Sequence, residues 1–351
     1  MVGMASNLNE RERTVLHYVV HDFIQTATPI GSRYISKRHE DVLGLSSATI
    51  RNVMSDLEEK GYINHPHTSA GRVPTNSGYR FYCNSLMRLE QLSDHEQAAI
   101  RKNLDVIDDS ELLLKESSRL LSRISHQLSI VTPPQLSSGI FEKLELVHIA
   151  GNRILVIISV KSGLIRTIMM EGATEVQRDK LEEMGRFLNE RLSGLTLQQI
   201  RENFGEIVKD AQSEETGLIS LFIESVDKLF PTARPDTVHI SGAGDLVEQP
   251  EFVNPKDFRS VIELINNEDI IVHVLEKTEP RPNETKVTIG EEHGDEKLRN
   301  YSAVVSSYSR GDMMGSVGLI GPTRMDYARL IPLVDYVAKT ISEMYSPGTR
   351  G

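Results

Sequence analysis

The residues best equipped for recognition chemistry lie on one short helix, which the sequence predicts between Gly44 and Gly61. Four apolar side chains recur there at i, i+3, i+4 and i+7 and so share one face: Ile50, Val53, Met54 and Leu57. The opposite face offers a guanidinium, an amide and small side chains, a set that can hydrogen-bond to purine edges in a DNA major groove. We predict that these residues read bases: Thr49, Arg51, Asn52 and Ser55.

An ordinary amphipathic surface helix would show the same apolar spacing, so the flanking sequence decides between the two interpretations. Upstream, residues 30–38 (IGSRYISKR) predict a short basic helix, and Ser46 or Ser47 can cap the next one. Downstream, residues 64–75 (NHPHTSAGRVPT) are almost free of apolar side chains and predict a wing. In this hypothesis Gly71 lets the backbone turn, and Arg72 reaches phosphate or the minor groove. The predicted contacts of backbone and wing are Arg33, Lys37, Ser47, His67, Thr68, Ser69, Gly71 and Arg72.

Two runs within this region carry a family resemblance. SSATIRNVMSDLEEKGYI, followed by PHTSAGRVPTNSGYRFY, closely resembles the HrcA family of bacterial heat-inducible transcription repressors. The resemblance implies an α+β multidomain chain: an N-terminal winged helix-turn-helix, then a GAF-like α/β domain carrying an inserted dimerising domain. It also implies a homodimer that binds an inverted-repeat DNA operator of chaperone genes, with activity that depends on the chaperonin.

Charge is distributed unevenly along the 351 residues, whose net charge is −11. Residues 1–88 hold ten Lys and Arg against eight Asp and Glu, while the remainder holds 29 against 42. An acidic body repelled by DNA would help aim the basic end at it. No signal-like leader or long apolar run is present, so we expect a cytoplasmic protein without a membrane partner. A single cysteine, Cys83, excludes an internal disulfide.

The order of predicted elements suggests a domain interrupted by an insertion. We predict helices at 9–26, 93–128 (broken near 109), 175–192, 215–229, 257–266 and 325–344. Strands are predicted as a meander over 142–171 and at 238–240, 270–275, 285–291, 302–309 and 315–320. With the resemblance, these give four segments: 1–88 winged helix, 89–195 GAF-like (first part), 196–284 inserted dimerising domain, and 285–351 GAF-like (second part).

Motifs for catalysis are weak, and we expect no enzyme, no cofactor and no metal site. Ser225 and Lys228 match SxxK spacing without its companion motifs, and His65 and His67 lack a cysteine near enough to complete a zinc site. The alternative function is a ligand-sensing protein whose winged helix binds a protein. The polar and basic wing favours the DNA-binding interpretation, because a protein-binding wing would more often expose apolar residues.

Overall fold

The fold is described from a computed structural model for residues 8–65, 71–172, 177–209, 217–230, 238–278 and 284–346. Within these ranges the chain forms two compact units. The first takes the residues up to Val131 together with His239–Ser306 and Val317–Ala338. The second takes Thr132–Val238, Ser307–Ser316 and the residues from Lys339. Helices and strands are mixed in both units, in agreement with the α+β class.

The first unit begins with a small helical region, residues 8–86, which we call the head. Its elements are α1 (Glu10–Thr26), α2 (Ser32–Arg38), α3 (Glu40–Leu43), α4 (Ser47–Glu59), β1 (Ile63–Asn64), β2 (Val73–Pro74), α5 (Asn76–Phe81) and a π-helical turn (Tyr82–Leu86). Its core is built by fully buried apolar side chains from α1, α2 and α4: Val15, Leu16, Val19, Val20, Ile35, Ile50 and Leu57. The α1 and α4 helices occupy the positions expected from the apolar spacing.

Local capping explains where the head helices begin and end. The Asn9 side chain accepts a hydrogen bond from Glu12 N (3.0 Å) and Glu12 Oε2 accepts one from Asn9 N (3.0 Å), a complete capping box for α1. Ser46 Oγ accepts from Thr49 N (3.1 Å) and caps α4. Gly61 follows α4 with φ +78°, a left-handed conformation that glycine adopts without steric cost.

The rest of the first unit, which we call the body, surrounds a five-stranded sheet. Its helices are α6 (Asp94–Leu104), α7 (Ser110–Ser125), α12 (Ala243–Val247), α13 (Pro255–Asn266), α14 (Glu268–Thr278) and α15 (Tyr327–Tyr345), the last of which continues into the second unit. Its strands are β3 (Leu128–Val131), β7 (His239–Ser241), β8 (Thr285–Ile289), β9 (Tyr301–Arg310) and β10 (Met313–Pro322), in the order β7-β3-β10-β9-β8. The end of β9 and the start of β10 belong to the second unit. The antiparallel registers include Ser129 opposite Ser241 and Val131 opposite Val317.

Two predicted elements of the body were wrong. Leu128 was placed on the apolar face of a helix but begins β3, because α7 ends at Ser125 and its C-cap residue, His126, has the left-handed φ of +54°. The strand predicted over 270–275 lies inside α14, where Ile271, Val274 and Leu275 are buried at helical spacing. The apolar run alone could not separate a short strand from a buried helix.

The second unit packs a three-stranded sheet against helices. Its strands β4 (Phe141–Ala150), β5 (Arg153–Val160) and β6 (Ile165–Glu171) form the predicted antiparallel meander. Its helices are α8 (Arg178–Leu192), α9 (Leu197–Ile207), α10 (Leu218–Glu224) and α11 (Val226–Leu229). One continuous core contains Phe141 of β4, Leu188 of α8 and Phe204 of α9. The predicted boundary between 195 and 196 would divide this core, and the chain returns to the first unit at His239, ahead of the predicted boundary at 285.

Of the helices in the described ranges, none is both long enough and apolar enough to cross a bilayer.

Candidate nucleic-acid interface

The α4 helix turns the predicted base-reading residues away from the core. Its apolar stripe is buried, with Ile50 fully covered, whereas Arg51 and Asn52 are exposed and Thr49 and Ser55 are half-buried. Among the described residues, neither Arg51 nor Asn52 makes an ion pair or a side-chain hydrogen bond. Their donors and acceptors therefore remain available to another molecule. Their role as base-reading residues stays a prediction.

Hydroxyl groups at the start of α4 are already used inside the head. Ser47 Oγ lies 3.2 Å from Ser32 Oγ of α2, and Ser46 Oγ lies 2.9 Å from Thr49 Oγ1. The first contact joins the amino-terminal ends of α2 and α4. Ser47 remains a predicted contact of the DNA backbone, but its hydroxyl would have to bind phosphate in addition to Ser32 Oγ.

The α2 helix presents two exposed cations one turn apart. Arg33 and Lys37 have no ion pair among the described residues, and their i, i+4 spacing places them on the same side of the helix. Arg38 behaves differently, because its Nε lies 3.6 Å from Asp22 Oδ1 and its guanidinium lies over the Tyr34 ring. Arg33 and Lys37, the two predicted phosphate contacts, thus differ from Arg38, which makes a contact between α2 and α1.

A short hairpin follows α4 and returns the chain toward α2. Asn64 pairs with Val73 in the β1–β2 ladder, and Arg72 pairs with Ile30 through two backbone hydrogen bonds of 2.8 Å. Gly71 is buried, and a Cβ at this position would lie 2.6 Å from the Pro29 carbonyl carbon. Close approach to Pro29 is the reason for glycine here. Its φ is not positive, and the turning role stays a prediction. His67, Thr68 and Ser69 lie outside the described residues.

Arg72 is partly committed to a partner that the sequence did not reveal. Its Nε donates to Glu58 Oε2 at 2.8 Å, and its side chain is 18% exposed. In the described part of the chain, no hydrogen bond uses its two Nη atoms. Glu58 therefore holds the guanidinium beside α4 and leaves one edge of it free. A phosphate or minor-groove contact by Arg72 stays a prediction.

The described ranges offer little for metal binding. They contain no group of three or more His, Cys, Asp or Glu side chains arranged to hold a metal ion. What the head does present, on two neighbouring helices, is a set of exposed guanidinium, ammonium and amide groups. Those groups recognise phosphates and base edges, so the head defines a candidate nucleic-acid-binding module on an α+β protein.

Comparison with known proteins places the chain in a family. Residues 111–331 match the family model described as the HrcA protein C-terminal domain. The Heat-inducible transcription repressor HrcA of Chlorobium phaeobacteroides (strain BS1) is 39% identical, with 98% of this chain and 100% of that protein covered. The protein of the same name from Chlorobium chlorochromatii (strain CaD3) is 38% identical over 97% of this chain and 98% of its own length. The chain belongs to the HrcA family.

A solved structure supports the same fold. A crystal structure of a hypothetical protein is 26% identical and superposes with a TM-score of 0.55, covering 96% of this chain and 97% of its own. The agreement spans both compact units, so the mixed helix-and-sheet architecture is shared over nearly the whole chain.

Proposed function

We propose that this protein is a sequence-specific DNA-binding transcriptional repressor of heat-shock (chaperone) operons that acts in the cytoplasm. The observation that carries the proposal is the pair Arg51 and Asn52, exposed on a capped helix and free of partners in the described ranges. The curated relatives are named heat-inducible transcription repressors, which supports the same function here.

The head is proposed to act as a winged helix-turn-helix. In this arrangement α2 crosses the DNA backbone, α4 enters the major groove, and the β1–β2 hairpin forms the wing. Arginine pairs in two-pronged fashion with guanine and asparagine with adenine, so Arg51 and Asn52 supply base discrimination. Arg33 and Lys37 supply phosphate contacts, which set position on the duplex and carry no sequence information.

A homodimer would match an inverted-repeat operator, because each half-site needs one head. The outward face of the three-stranded sheet is the surface we propose for dimerisation. Its side chains alternate with the buried ones along each strand, and large apolar residues remain open to solvent: Val147, Ile149, Ile165 and Met169. The second compact unit is thus proposed as the dimerising domain, and the body as the GAF-like domain.

The chaperonin is proposed as the partner that links activity to heat. Folding must bring together strands far apart in sequence, as the pairing of Val131 with Val317 shows. Such long-range topologies fold slowly and expose apolar surface on the way. With one cysteine, the chain also has no internal disulfide to stabilise it. Unfolded proteins produced by heat would compete for the chaperonin and so lower the active fraction.

The test is a fluorescence-anisotropy titration of the full chain with a chaperone-promoter inverted repeat and with the same bases scrambled. We expect preference for the inverted repeat and, after mild heating, recovery of the active fraction when chaperonin is added. Equal affinity for both duplexes would remove the repressor proposal. Stable activity at heat-shock temperature with no response to chaperonin would remove the heat-sensing proposal alone.

A further inference from the structure

The last helix of the head, α5, is joined rigidly to the hairpin before it. A Cβ at Gly78 would lie 2.1 Å from the carbonyl oxygen of Tyr62, so α5 packs directly on that backbone. Thr75 Oγ1 donates to the carbonyl of Gly61 (2.6 Å) and accepts from Gly78 N (3.2 Å), which caps α5. A displacement of α5 would therefore also displace the residues that follow the end of α4.

Arg80 of α5 connects the head to the body. Its Nη2 donates to the carbonyl of Val287 (2.7 Å), and its guanidinium forms a two-pronged pair with the Glu292 carboxylate, with Nε to Oε1 at 2.7 Å. Glu292 is itself held in place, because its Oε2 accepts from Ile289 N at 2.9 Å. A bidentate pair with a fixed carboxylate restricts orientation as well as distance.

A second arginine, this one in the body, binds a residue of the head. Arg324, in the loop after β10, donates from Nη1 to the carbonyl of Ile24 in the last turn of α1 (2.7 Å). Its other nitrogens bind the Glu251 carboxylate and Gln249 Oε1 (3.2 Å), and its side chain is only 13% exposed. The last turn of α1 contains no basic residue of its own, so Arg324 satisfies one of its unpaired carbonyls from outside.

Apolar and close contacts lie between the two arginines. The rings of Tyr79 and Tyr327 are 6.2 Å apart, and both side chains are buried. Gly290 has φ +52°, and a Cβ there would lie 2.3 Å from Asn76 Nδ2. We call this set of contacts the head–body seam. Its two ends are fixed by Arg80 and Arg324, and its middle is packed, so it defines one orientation of the head on the body.

We propose that Arg80 and Arg324 are positioning residues that fix the head on the body and thereby set which half-site spacing the operator must have. The inference rests on the proposed function, since it concerns a dimer on an inverted repeat. Each base pair added between half-sites moves the second one by about 3.4 Å and turns it by roughly 35° about the DNA axis. A head loosened at the seam can turn to follow that rotation, whereas a head fixed to the body has lost this freedom.

The experiment measures affinity against a series of duplexes that carry two identical half-sites, with the spacer varied one base pair at a time over a helical turn. The variants are Arg80→Ala, Arg324→Ala and Glu292→Ala. The matched control is Arg119→Ala, which removes an exposed arginine whose ion pair, among the described residues, is with Glu116 of its own helix. Circular dichroism and thermal unfolding establish that each variant is folded.

For the wild type and Arg119→Ala we expect a sharp optimum of spacing. For the seam variants we expect the ratio of the affinity at the best spacing to the affinity at the worst spacing to shrink by roughly threefold or more. Their preference for the correct half-site sequence should be unchanged. Glu292→Ala is decisive, because it removes a negative charge and would strengthen binding at every spacing if only electrostatics were involved. An unchanged profile, or an equal loss at all spacings, would overturn the positioning role.

A second measurement does not depend on DNA binding. Spin labels at Glu59→Cys on α4 and Lys102→Cys on α6 report the distribution of head–body distances; both native residues are exposed. Cys83 should label slowly, because burial raises the pKa of its thiol to about 12. We expect a narrow distribution in the parent and a broad one in the seam variants. If the doubly labelled protein without seam substitutions does not prefer operator DNA, the proposed function is contradicted. If the distance distribution does not broaden in the seam variants, the fixed seam is contradicted.

Discussion

Lys60 Nζ donates to both carboxylate oxygens of Glu12, at 2.7 and 2.8 Å, and so joins the end of α4 to the first turn of α1. Glu12 is buried, whereas the Lys60 side chain is 37% exposed. Glu12 also completes the α1 capping box. The same carboxylate thus stabilises a helix start and fixes the orientation of the proposed recognition helix, and it does both from the interior of the head.

The first prediction concerns stability and pH. Burial by itself would raise the pKa of Glu12, but the Lys60 ammonium and the Asn9 N–H lower it overall. A lowered pKa in the folded state means that this stabilisation is present above the unfolded-state pKa and is lost as pH falls through the folded-state value. Lys60→Ala should reduce the free energy of unfolding by about 1–3 kcal/mol at pH 7, since it leaves the buried Glu12 carboxylate without its charged partner and with the Asn9 N–H as its donor.

Urea unfolding followed by circular dichroism between neutral and acid pH measures this effect. Glu12→Gln keeps a capping side chain but removes the charge. The difference between its free energy of unfolding and that of wild type should therefore diminish as the solution becomes acid. Glu10→Gln, on the exposed side of the same turn, is the matched control and should differ little from wild type at any pH. Parallel pH profiles for wild type and Glu12→Gln would refute the ion-pair contribution.

The second prediction concerns base discrimination by α4. Arg51→Ala should lose about 1–3 kcal/mol of preference for the operator over scrambled DNA, because one two-pronged contact to guanine disappears. The fold should be unaffected, since Arg51 is exposed and contributes no ion pair in the described ranges. Arg11→Ala removes the same charge from an exposed site on α1 and serves as control. Full operator preference in Arg51→Ala would show that another face reads the bases.

The third prediction concerns Arg72, whose Nε is held by Glu58 while its Nη atoms face no hydrogen-bond acceptor among the described residues. If these atoms contact phosphate, Arg72→Ala should weaken binding to operator and scrambled DNA alike. The slope of log affinity against log salt should then shrink by about 0.9. A titration at several salt concentrations measures the slope. An unchanged slope would contradict a phosphate contact, and a loss of base preference would place Arg72 in the minor groove.

Features governed by neighbouring residues could be predicted from the sequence. The capping box of Asn9, the Ser46 cap and the buried stripe of α4 all depend on residues within two helical turns. Helical periodicity contains that information directly. For the same reason the exposed positions of Arg51 and Asn52 followed from spacing alone.

Features made by distant residues could not be predicted in this way. Arg72 meets Glu58, fourteen residues earlier, and Gly71 packs against Pro29, which no local pattern indicates. The seam pair of Arg80 and Glu292 spans more than two hundred residues. Ile271 and Val274 could have been assigned to a helix from their three-residue separation, but the β-branched run around them favoured a strand.

The last prediction concerns the dimer. Ile165, on edge strand β6, is 66% exposed and points away from the core of the second unit, as does Met169 of the same strand. If this face is the interface, a carboxylate at position 165 would lose its hydration on dimerisation, at a cost of several kcal/mol. Ile165→Glu should therefore shift the protein from dimer to monomer in light-scattering and sedimentation measurements.

The matched control for this substitution is Val106→Glu, which adds the same charge at a site 78% exposed outside the sheet. It should leave the dimer intact. On DNA, Ile165→Glu should bind a single half-site as wild type does but lose the additional affinity for the inverted repeat, because that gain requires two linked heads. A variant that remained dimeric and kept full affinity for the inverted repeat would show that the heads are joined through a different surface.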